Sequence, residues 1–140
     1  MHAVLRSLVV ITLAFLTASA SADGIASTDA QKIIESQINA FRAGKDAEAY
    51  SYAAPSIQGY FPTVESFMGM VKGGYSPVWQ PRDIQFGKTK EVSAEAVVQE
   101  VEIIAKDGTA WVALYSLIKM SDGSWKISGV QLLKADGGSA

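Results

Sequence analysis

The amino-acid sequence predicts one α+β domain, in which several helices precede an antiparallel sheet. In the first half of the chain, apolar residues return at helical spacing, as they do over residues 34–41. From residue 94 onward the spacing changes to the alternation of strands, in segments rich in Val, Ile, Trp and Tyr. Asp-Gly pairs at 107–108 and 122–123 separate these segments and are typical of tight hairpins. Helices followed by a meander of strands favour the α+β class.

Three helices are predicted, each from a start signal, an apolar stripe and a stop signal. The first begins at Thr28 and Gln31, which have the spacing of a capping box. Pro55 stops the second helix, and residues 56–62 are expected to form a turn. The predicted helices run from Thr28 to Gly44, from Asp46 to Ala54 and from Thr63 to Gly74.

Four strands are predicted in the second half of the chain. The first lies around Ile84 and Phe86, which alternate with polar residues. The other three are longer, and we expect two-residue turns between them because Asp-Gly favours that loop length. These strands are predicted at 94–106, 109–120 and 125–134.

The N-terminus has the layout of an export signal. Arg6 gives a positive start, residues 8–16 form an apolar run, and residues 20–22 are a small-residue cleavage site. The run is shorter than the roughly 20 apolar residues that a membrane span needs. An uncleaved anchor and cleavage after Ala20 are the alternatives. We expect a signal peptide at 1–22, a single domain at 23–134 and a frayed tail at 135–140, with the protein in the periplasm or secreted and without a stable membrane span after cleavage.

The composition excludes several classes of chemistry. The chain has no cysteine, and its only histidine is His2, inside the predicted signal. A disulfide framework, a zinc finger, a thiol nucleophile and a Ser-His-Asp triad are therefore excluded. The formal net charge of -2 gives no electrostatic case for binding nucleic acid. We expect no cofactor, no metal and no catalytic residue, although Asp, Glu, Tyr or Lys with a shifted pKa could still perform acid–base chemistry.

The predicted turns place small and polar residues in one row across the sheet. With two-residue turns, Gln99 lies opposite Ser116, and Ser116 lies opposite Gly129, with Gln131 beside the row. On an otherwise aliphatic face, such a row is typical of a pocket floor. The alternative is a buried polar patch whose members satisfy each other.

Further candidate binding residues come from the helical half of the chain. Gln37 interrupts the apolar face of the first predicted helix, where it either faces a cavity or reaches solvent. Four aromatic residues are placed at the expected mouth, since Tyr and Trp combine apolar area with one polar group; ordinary packing is the alternative for them. The full predicted set for ligand binding is Gln37, Tyr60, Phe61, Tyr75, Trp79, Gln99, Ser116 and Gln131.

The opposite face of the predicted sheet is too apolar for a surface exposed to water. Aromatic and aliphatic residues on such a face indicate contact with a partner. A symmetric homodimer is the expected partner arrangement. The predicted interface residues are Trp111, Tyr115, Leu117, Val130 and Leu132.

Two sequence segments resemble known families. Residues 122–130, DGSWKISGV, are similar to the closing hairpin D-G-x-W-K-I-x-x-V of the nuclear transport factor 2-like superfamily. Residues 53–57, 67–71 and 74–78, together with Phe61 and Pro81, resemble an exported bacterial family called domain of unknown function 4864, and residues 37–41 fit as well. The resemblance implies a cone, in which a curved antiparallel sheet wraps around about three helices and leaves a pocket at its open end.

The superfamily resemblance leaves the function open, because its members include enzymes and binding modules. Ketosteroid isomerase and scytalone dehydratase belong to it, but the predicted mature chain lacks the histidine of one catalytic pattern and has no local match to the other. The favoured hypothesis is a domain that binds a small apolar ligand or a protein partner through the pocket. The alternatives are a dimerisation or assembly module and an isomerase or dehydratase-like enzyme.

Overall fold

The computed structural model describes residues 22–135 as an α+β fold, which confirms the predicted class. The signal peptide predicted at 1–22 and the tail predicted at 135–140 lie outside the described residues, apart from Ala22 and Ala135. The helices are α1 (Ala22–Arg42), α2 (Asp46–Ser51), α3 (Pro55–Tyr60), α4 (Val64–Gly74) and α5 (Ser76–Trp79), and the strands are β1 (Asp83–Ser93), β2 (Ala96–Ile104), β3 (Ala110–Lys119) and β4 (Trp125–Lys134).

The first helix begins earlier than its capping-box sequence predicts. α1 starts at Ala22, so Thr28 and Gln31 lie inside the helix and not at its N-terminus. Ala26 and Ala30 are buried in the core beneath the sheet. Tertiary packing of this kind stabilises helical turns that precede a local start signal in the sequence. The resulting longer helix α1 contacts β1, β2 and β4.

The chain between α2 and α3 is hydrogen-bonded to the sheet, and the turn predicted after Pro55 is wrong. The Ile127 N–H donates to the Tyr52 carbonyl at 2.9 Å, and the Ala54 N–H donates to the Ile127 carbonyl at 2.7 Å. These bonds form a β-bridge between Ala53 and Ile127 and leave Ala54 extended, so α2 ends at Ser51 and not at the predicted Ala54. Pro55 then begins α3. Proline is tolerated at this first helical position, because the backbone N–H that it lacks would have no partner within the helix.

The predicted helix that begins at Thr63 is confirmed as α4. The Thr63 hydroxyl accepts from the Ser66 N–H at 3.0 Å, and the Ser66 hydroxyl accepts from the Thr63 N–H at 3.2 Å. The buried stripe of the helix is formed by Phe67, Met68 and Val71. The sequence does not predict the one-turn helix α5 that follows.

The four strands form one curved antiparallel sheet in the order β1-β2-β3-β4. β1 extends well beyond the strand predicted around Ile84 and Phe86. A bulge between Phe86 and Thr89 interrupts its pairing with β2. Bulges bend the strand that carries them, so this one contributes to the curvature of the sheet.

The turn between β2 and β3 has three residues where two are predicted, and this shifts the register by one. The Ala105 N–H donates to the Thr109 carbonyl at 2.9 Å, which leaves residues 106–108 in the loop. Gly108 adopts φ +85°, the conformation that ends a three-residue loop of this kind. The Asp107 carboxylate accepts from the Thr109 N–H at 2.9 Å and favours the longer loop.

The turn between β3 and β4 also has three residues in place of the predicted two. A bulge in β4 then restores the predicted register further along the strands. The Met120 N–H donates to the Ser124 carbonyl at 2.7 Å across this turn. In the middle of the strands the pairing shifts by one residue, and Ser116 pairs with Gly129 as the sequence predicts.

The register shift exchanges the two faces of β3, as any slip by one residue does. Tyr115 and Leu117, predicted to face outward at a dimer interface, are 0% and 1% exposed in the core. Trp111, Val130 and Leu132 of the same predicted interface are partly buried and pack against that core. The prediction that these residues form an exposed sheet face is therefore wrong.

Other residues line the sheet face that the helices leave open. The face is partly aliphatic, and its Leu133 is 43% exposed. Two carboxylates of β2 interrupt it. The residues of this open face are Val98, Glu100, Glu102, Ile104, Val112, Leu114, Ser116, Ile118, Gln131 and Leu133.

Candidate functional site

An apolar pocket of about 230 Å³ lies between the helices and the middle of β4. Helices α1, α3, α4 and α5 contribute its walls, and β4 contributes its floor. Polar side chains are few among the residues that line it. The lining residues are Gln37, Phe41, Ala53, Ile57, Phe61, Phe67, Met70, Val71, Tyr75, Val78, Ile127, Ser128, Gly129 and Val130.

The floor of the pocket is shaped by the bulge in β4. This strand has one extra residue, Ser128, between the pairs made by Ile127 and Gly129. Strand residues normally turn to alternate faces, but the extra residue allows both Ile127 and Val130 to pack beneath the helices. The β-bridge between Ala53 and Ile127 holds the start of α3 against this floor.

Aromatic contacts hold the helical wall in place. Phe67 of α4 stacks on Phe41 of α1 with ring centroids 6.3 Å apart, and it contacts Tyr50 of α2 with centroids 5.2 Å apart. The Tyr50 hydroxyl donates to the Phe61 carbonyl at 2.5 Å. Contacts between rings and a satisfied tyrosine hydroxyl fix the positions of α1, α2 and α4 around the cavity.

Gln37 is the most buried polar side chain of the pocket lining, with 4% of its surface exposed. Its Nε2 donates to the Ala49 carbonyl at 3.1 Å, which joins α1 to α2. Among the described residues, no hydrogen-bond donor is paired with its Oε1. The predicted polar residue of this helix therefore lines a cavity, and it retains one free acceptor.

The predicted aromatic residues divide between the pocket and other places. Phe61 and Tyr75 are partly buried in the lining of the pocket. Tyr60 is 85% exposed and is not part of the lining, because α3 turns it toward solvent. Trp79 lines a separate, open groove, where the Lys72 ammonium lies 5.4 Å from the centroid of its ring.

Gln99 is fully buried, but it belongs to a polar network and not to the pocket lining. Its Nε2 donates to the carbonyls of Glu100 at 2.8 Å and Gly87 at 3.1 Å. Its Oε1 accepts from the Thr89 hydroxyl and from Gln31 Nε2 at 3.4 Å. The amide thereby ties the bulge of β1 to β2 and to α1.

A chain of hydrogen bonds extends this network along α1. The Thr89 hydroxyl hydrogen is committed to Gln99, so the Ser27 hydroxyl donates to Thr89, at 2.9 Å. Gln31 Nε2 donates to Ser27 at 3.1 Å, which completes the chain. Buried groups that are satisfied in this way stabilise one arrangement of helix and strands.

The polar row predicted as a pocket floor is divided between the two faces of the sheet. Gln99 pairs with Tyr115 and points beneath the helices. Ser116 and Gln131 lie on the open face, away from the pocket. The cause is the three-residue turn, which moves β3 by one residue against β2. Gln99, Ser116 and Gln131 are therefore wrong as lining residues.

Tyr115 has the one buried side-chain oxygen or nitrogen among the described residues that lacks a hydrogen-bond partner. Its side chain is 0% exposed. Burial raises the pKa of this phenol above its ordinary value, because the charged form would lose its hydration. The hydroxyl is neutral at any physiological pH and has one hydrogen to donate.

Several pocket residues could not be recognised as such in the sequence. Phe67 and Val71 belong to a stripe that predicts core packing, and they do pack in the core beside the cavity. Ile57 lies in the segment predicted as a turn. Ser128 and Gly129 line the pocket because of the β4 bulge, for which the sequence offers only the weak signal of a glycine within a strand.

Among the residues that the structure describes, charged side chains are absent from the lining of the pocket. None of its lining residues is Asp, Glu, Lys or Arg. Among residues 22–135, no group of three or more acidic, histidine or cysteine side chains is placed to hold a metal ion. The same residues include no helix that is long and apolar enough to cross a membrane.

A comparison with family models decides the family of the chain. The model described as "Domain of unknown function (DUF4864)" matches residues 25–140. The chain belongs to this family. No curated protein and no solved structure matches it.

Proposed function

We propose that this DUF4864 protein binds a small, mostly apolar molecule in the pocket between α4 and β4. The observation that carries the proposal is the size and lining of the pocket, about 230 Å³ lined mostly by apolar side chains. Apolar cavities of about 150 Å³ in other proteins bind benzene. The volume here is larger and suits a molecule of one or two fused rings, or an equivalent aliphatic chain.

Gln37 gives the pocket a means of orienting such a molecule. Its Nε2 is held by the Ala49 carbonyl, so the amide cannot turn freely. The Oε1 that remains can accept a hydrogen bond from a hydroxyl or N–H group of the ligand. An apolar pocket with few polar groups is typical of sites that bind a small molecule through its shape and select it by one or two hydrogen bonds.

The proposal includes a setting and a fold family. We propose export to the periplasm or the medium, supported by the signal-like N-terminal sequence. We also propose a nuclear transport factor 2-like cone, supported by the antiparallel meander and by the packing of α1 against three of its strands. A ligand-binding pocket is favoured over catalysis because the lining has no carboxylate to serve as a base. It is favoured over a purely structural role because the interior is not filled.

Met70→Trp tests the pocket directly. Met70 is partly buried in the lining, and an indole at this position fills part of the cavity. Indane, a bicyclic hydrocarbon, is a suitable probe because it depends only on apolar burial. We expect the wild-type protein to bind indane in isothermal titration calorimetry, and Met70→Trp to bind at least about tenfold more weakly, since blocked volume removes about 1.4 kcal/mol or more of apolar contact.

Gly69→Trp is the matched control for this experiment. Gly69 precedes Met70 on α4 but is exposed, and an added Cβ there meets nothing within 4 Å. This variant carries the same new side chain outside the pocket, and we expect it to bind indane like the wild type. Absence of indane binding to the wild type, or equal binding to Met70→Trp, would contradict the proposal.

A second candidate role, self-association, is favoured by the open face of the sheet. We propose that a second copy of the chain covers its aliphatic residues, of which Leu114 lies near the centre, beside Glu100 on β2 and Gln131 on β4. Contiguous apolar area on a sheet face is typical of partner surfaces. A homodimer through this face replaces the interface predicted from the sequence.

Leu114→Glu is expected to yield monomers, because a carboxylate beside Glu100 in a self-complementary contact is desolvated and repelled. Tyr60→Glu is the control, since it removes exposed apolar area and adds the same charge on α3, outside the open face of the sheet. Analytical ultracentrifugation measures both variants. A wild type that stays monomeric at high concentration, or a dimeric Leu114→Glu, would rule out this interface.

A further inference from the structure

The buried hydroxyl of Tyr115 has no hydrogen-bond partner among the residues the structure describes. Its cross-strand neighbour on β2 is Gln99, an amide that could in principle serve as partner. However, both ends of that amide are already engaged: Oε1 accepts from Thr89 and Gln31, and Nε2 donates to backbone carbonyls. The polar network therefore leaves the Tyr115 hydroxyl unsatisfied.

A phenylalanine would bury the same ring at this position without the cost of an unpaired hydroxyl. Removal of a hydroxyl from water without a compensating hydrogen bond is unfavourable. A buried group without a partner requires an explanation, such as a bound water, an ion or a functional contact. The surroundings of Tyr115 indicate where that partner enters.

The pocket lies on the other side of Tyr115. Its cross-strand neighbour on β4 is Val130, which is a lining residue of the pocket. Val78 of α5 belongs to the same core cluster as Tyr115 and also lines the pocket. Tyr115 is therefore the direct strand neighbour of a lining residue, Val130, and Gln37 lines the same cavity.

We propose that Tyr115 is a specificity-determining residue of the pocket, whose hydroxyl donates a hydrogen bond to an acceptor oxygen of the bound ligand. The inference rests on the proposed function and deepens it. It assigns the ligand class as a compact apolar molecule with a carbonyl or ether oxygen, which lies against Val130 at the floor of the pocket. The hydrocarbon body occupies the cavity, and the oxygen reaches the otherwise unpaired hydroxyl.

The test compares two ligands of nearly equal shape, 1-indanone and indane, which differ by one carbonyl. We expect the wild type to bind 1-indanone well, and Tyr115→Phe to lose about tenfold in its affinity for 1-indanone relative to indane, because the carbonyl then enters the core unpaired. Indane binding itself is expected to be unchanged. Titration calorimetry of both ligands with both proteins gives the ratio.

Tyr60→Phe is the matched control, since it also deletes one tyrosine hydroxyl, but from a residue that is 85% exposed and outside the pocket lining. The ratio of its affinities for 1-indanone and indane is expected to equal that of the wild type. An unchanged ratio in Tyr115→Phe would overturn the inference and indicate a hydroxyl with a structural role only, such as binding an internal water. Failure of indane to bind any of the proteins would instead count against the pocket itself, so the two failures are distinguishable.

Discussion

Gln99→Leu is expected to lower the free energy of unfolding by about 3 kcal/mol, because it removes several buried hydrogen bonds at once. The Gln99 amide donates to the carbonyls of Gly87 and Glu100 and accepts from Thr89 and Gln31. Leucine has nearly the same size, so the loss comes from the unpaired groups and not from a cavity. Urea denaturation followed by circular dichroism measures the change.

Gln131→Leu is the control for this variant. The sequence places Gln99 and Gln131 together at a pocket, but Gln131 is exposed on the open face. An exposed substitution of this type is expected to change the unfolding free energy by no more than about 0.5 kcal/mol. Equal effects of the two substitutions would show that Gln99 does not hold the β1 bulge in the way its contacts indicate.

Phe67→Ala is expected to destabilise the protein by about 3–5 kcal/mol, the usual range for deletion of a buried aromatic ring. Phe67 is 3% exposed, stacks on Phe41 and contacts Tyr50, so its loss separates α4 from α1 and α2. It also lines the pocket, and its removal enlarges the cavity. We expect indane to bind more weakly, because the ring that it packs against is gone.

Phe61→Ala provides the comparison for Phe67→Ala. It deletes the same ring from a partly buried position of the same lining. Its carbonyl, which accepts from Tyr50, remains in place. Phe61→Ala removes less buried apolar area than Phe67→Ala. We therefore expect a smaller decrease in the free energy of unfolding in the same urea experiment. A larger cost for Phe61→Ala would contradict the assignment of Phe67 as the central contact of the helical wall.

The sequence predicts the class of fold and the helix that begins at Thr63 because these depend on local patterns. Apolar spacing, a capping box and a run of strand residues up to 134 are each readable over a few positions. The start of α1 depends instead on packing against the sheet at Ala26 and Ala30, which no local signal carries. The predicted start at Thr28 fails for that reason.

The candidate site was harder to predict, because its residues come together through register and bulges. An Asp-Gly pair supports loops of two or three residues, and the third residue at 106–108 reverses the face of Tyr115. The bulge at Ser128 then determines which part of β4 meets the helices. Gln37 was noticeable in the sequence as a polar residue on the apolar face of the first helix, because that pattern depends on one helix and not on the sheet.

The central claim is that the pocket holds a small molecule, and native mass spectrometry tests it most directly. The protein is isolated under gentle conditions from the cells that produce it, alongside its Met70→Trp variant. We expect the wild type to carry a reproducible small-molecule mass that is missing from Met70→Trp. A bare wild-type protein, indistinguishable from the variant in bound mass and in its response to indane, would contradict the account.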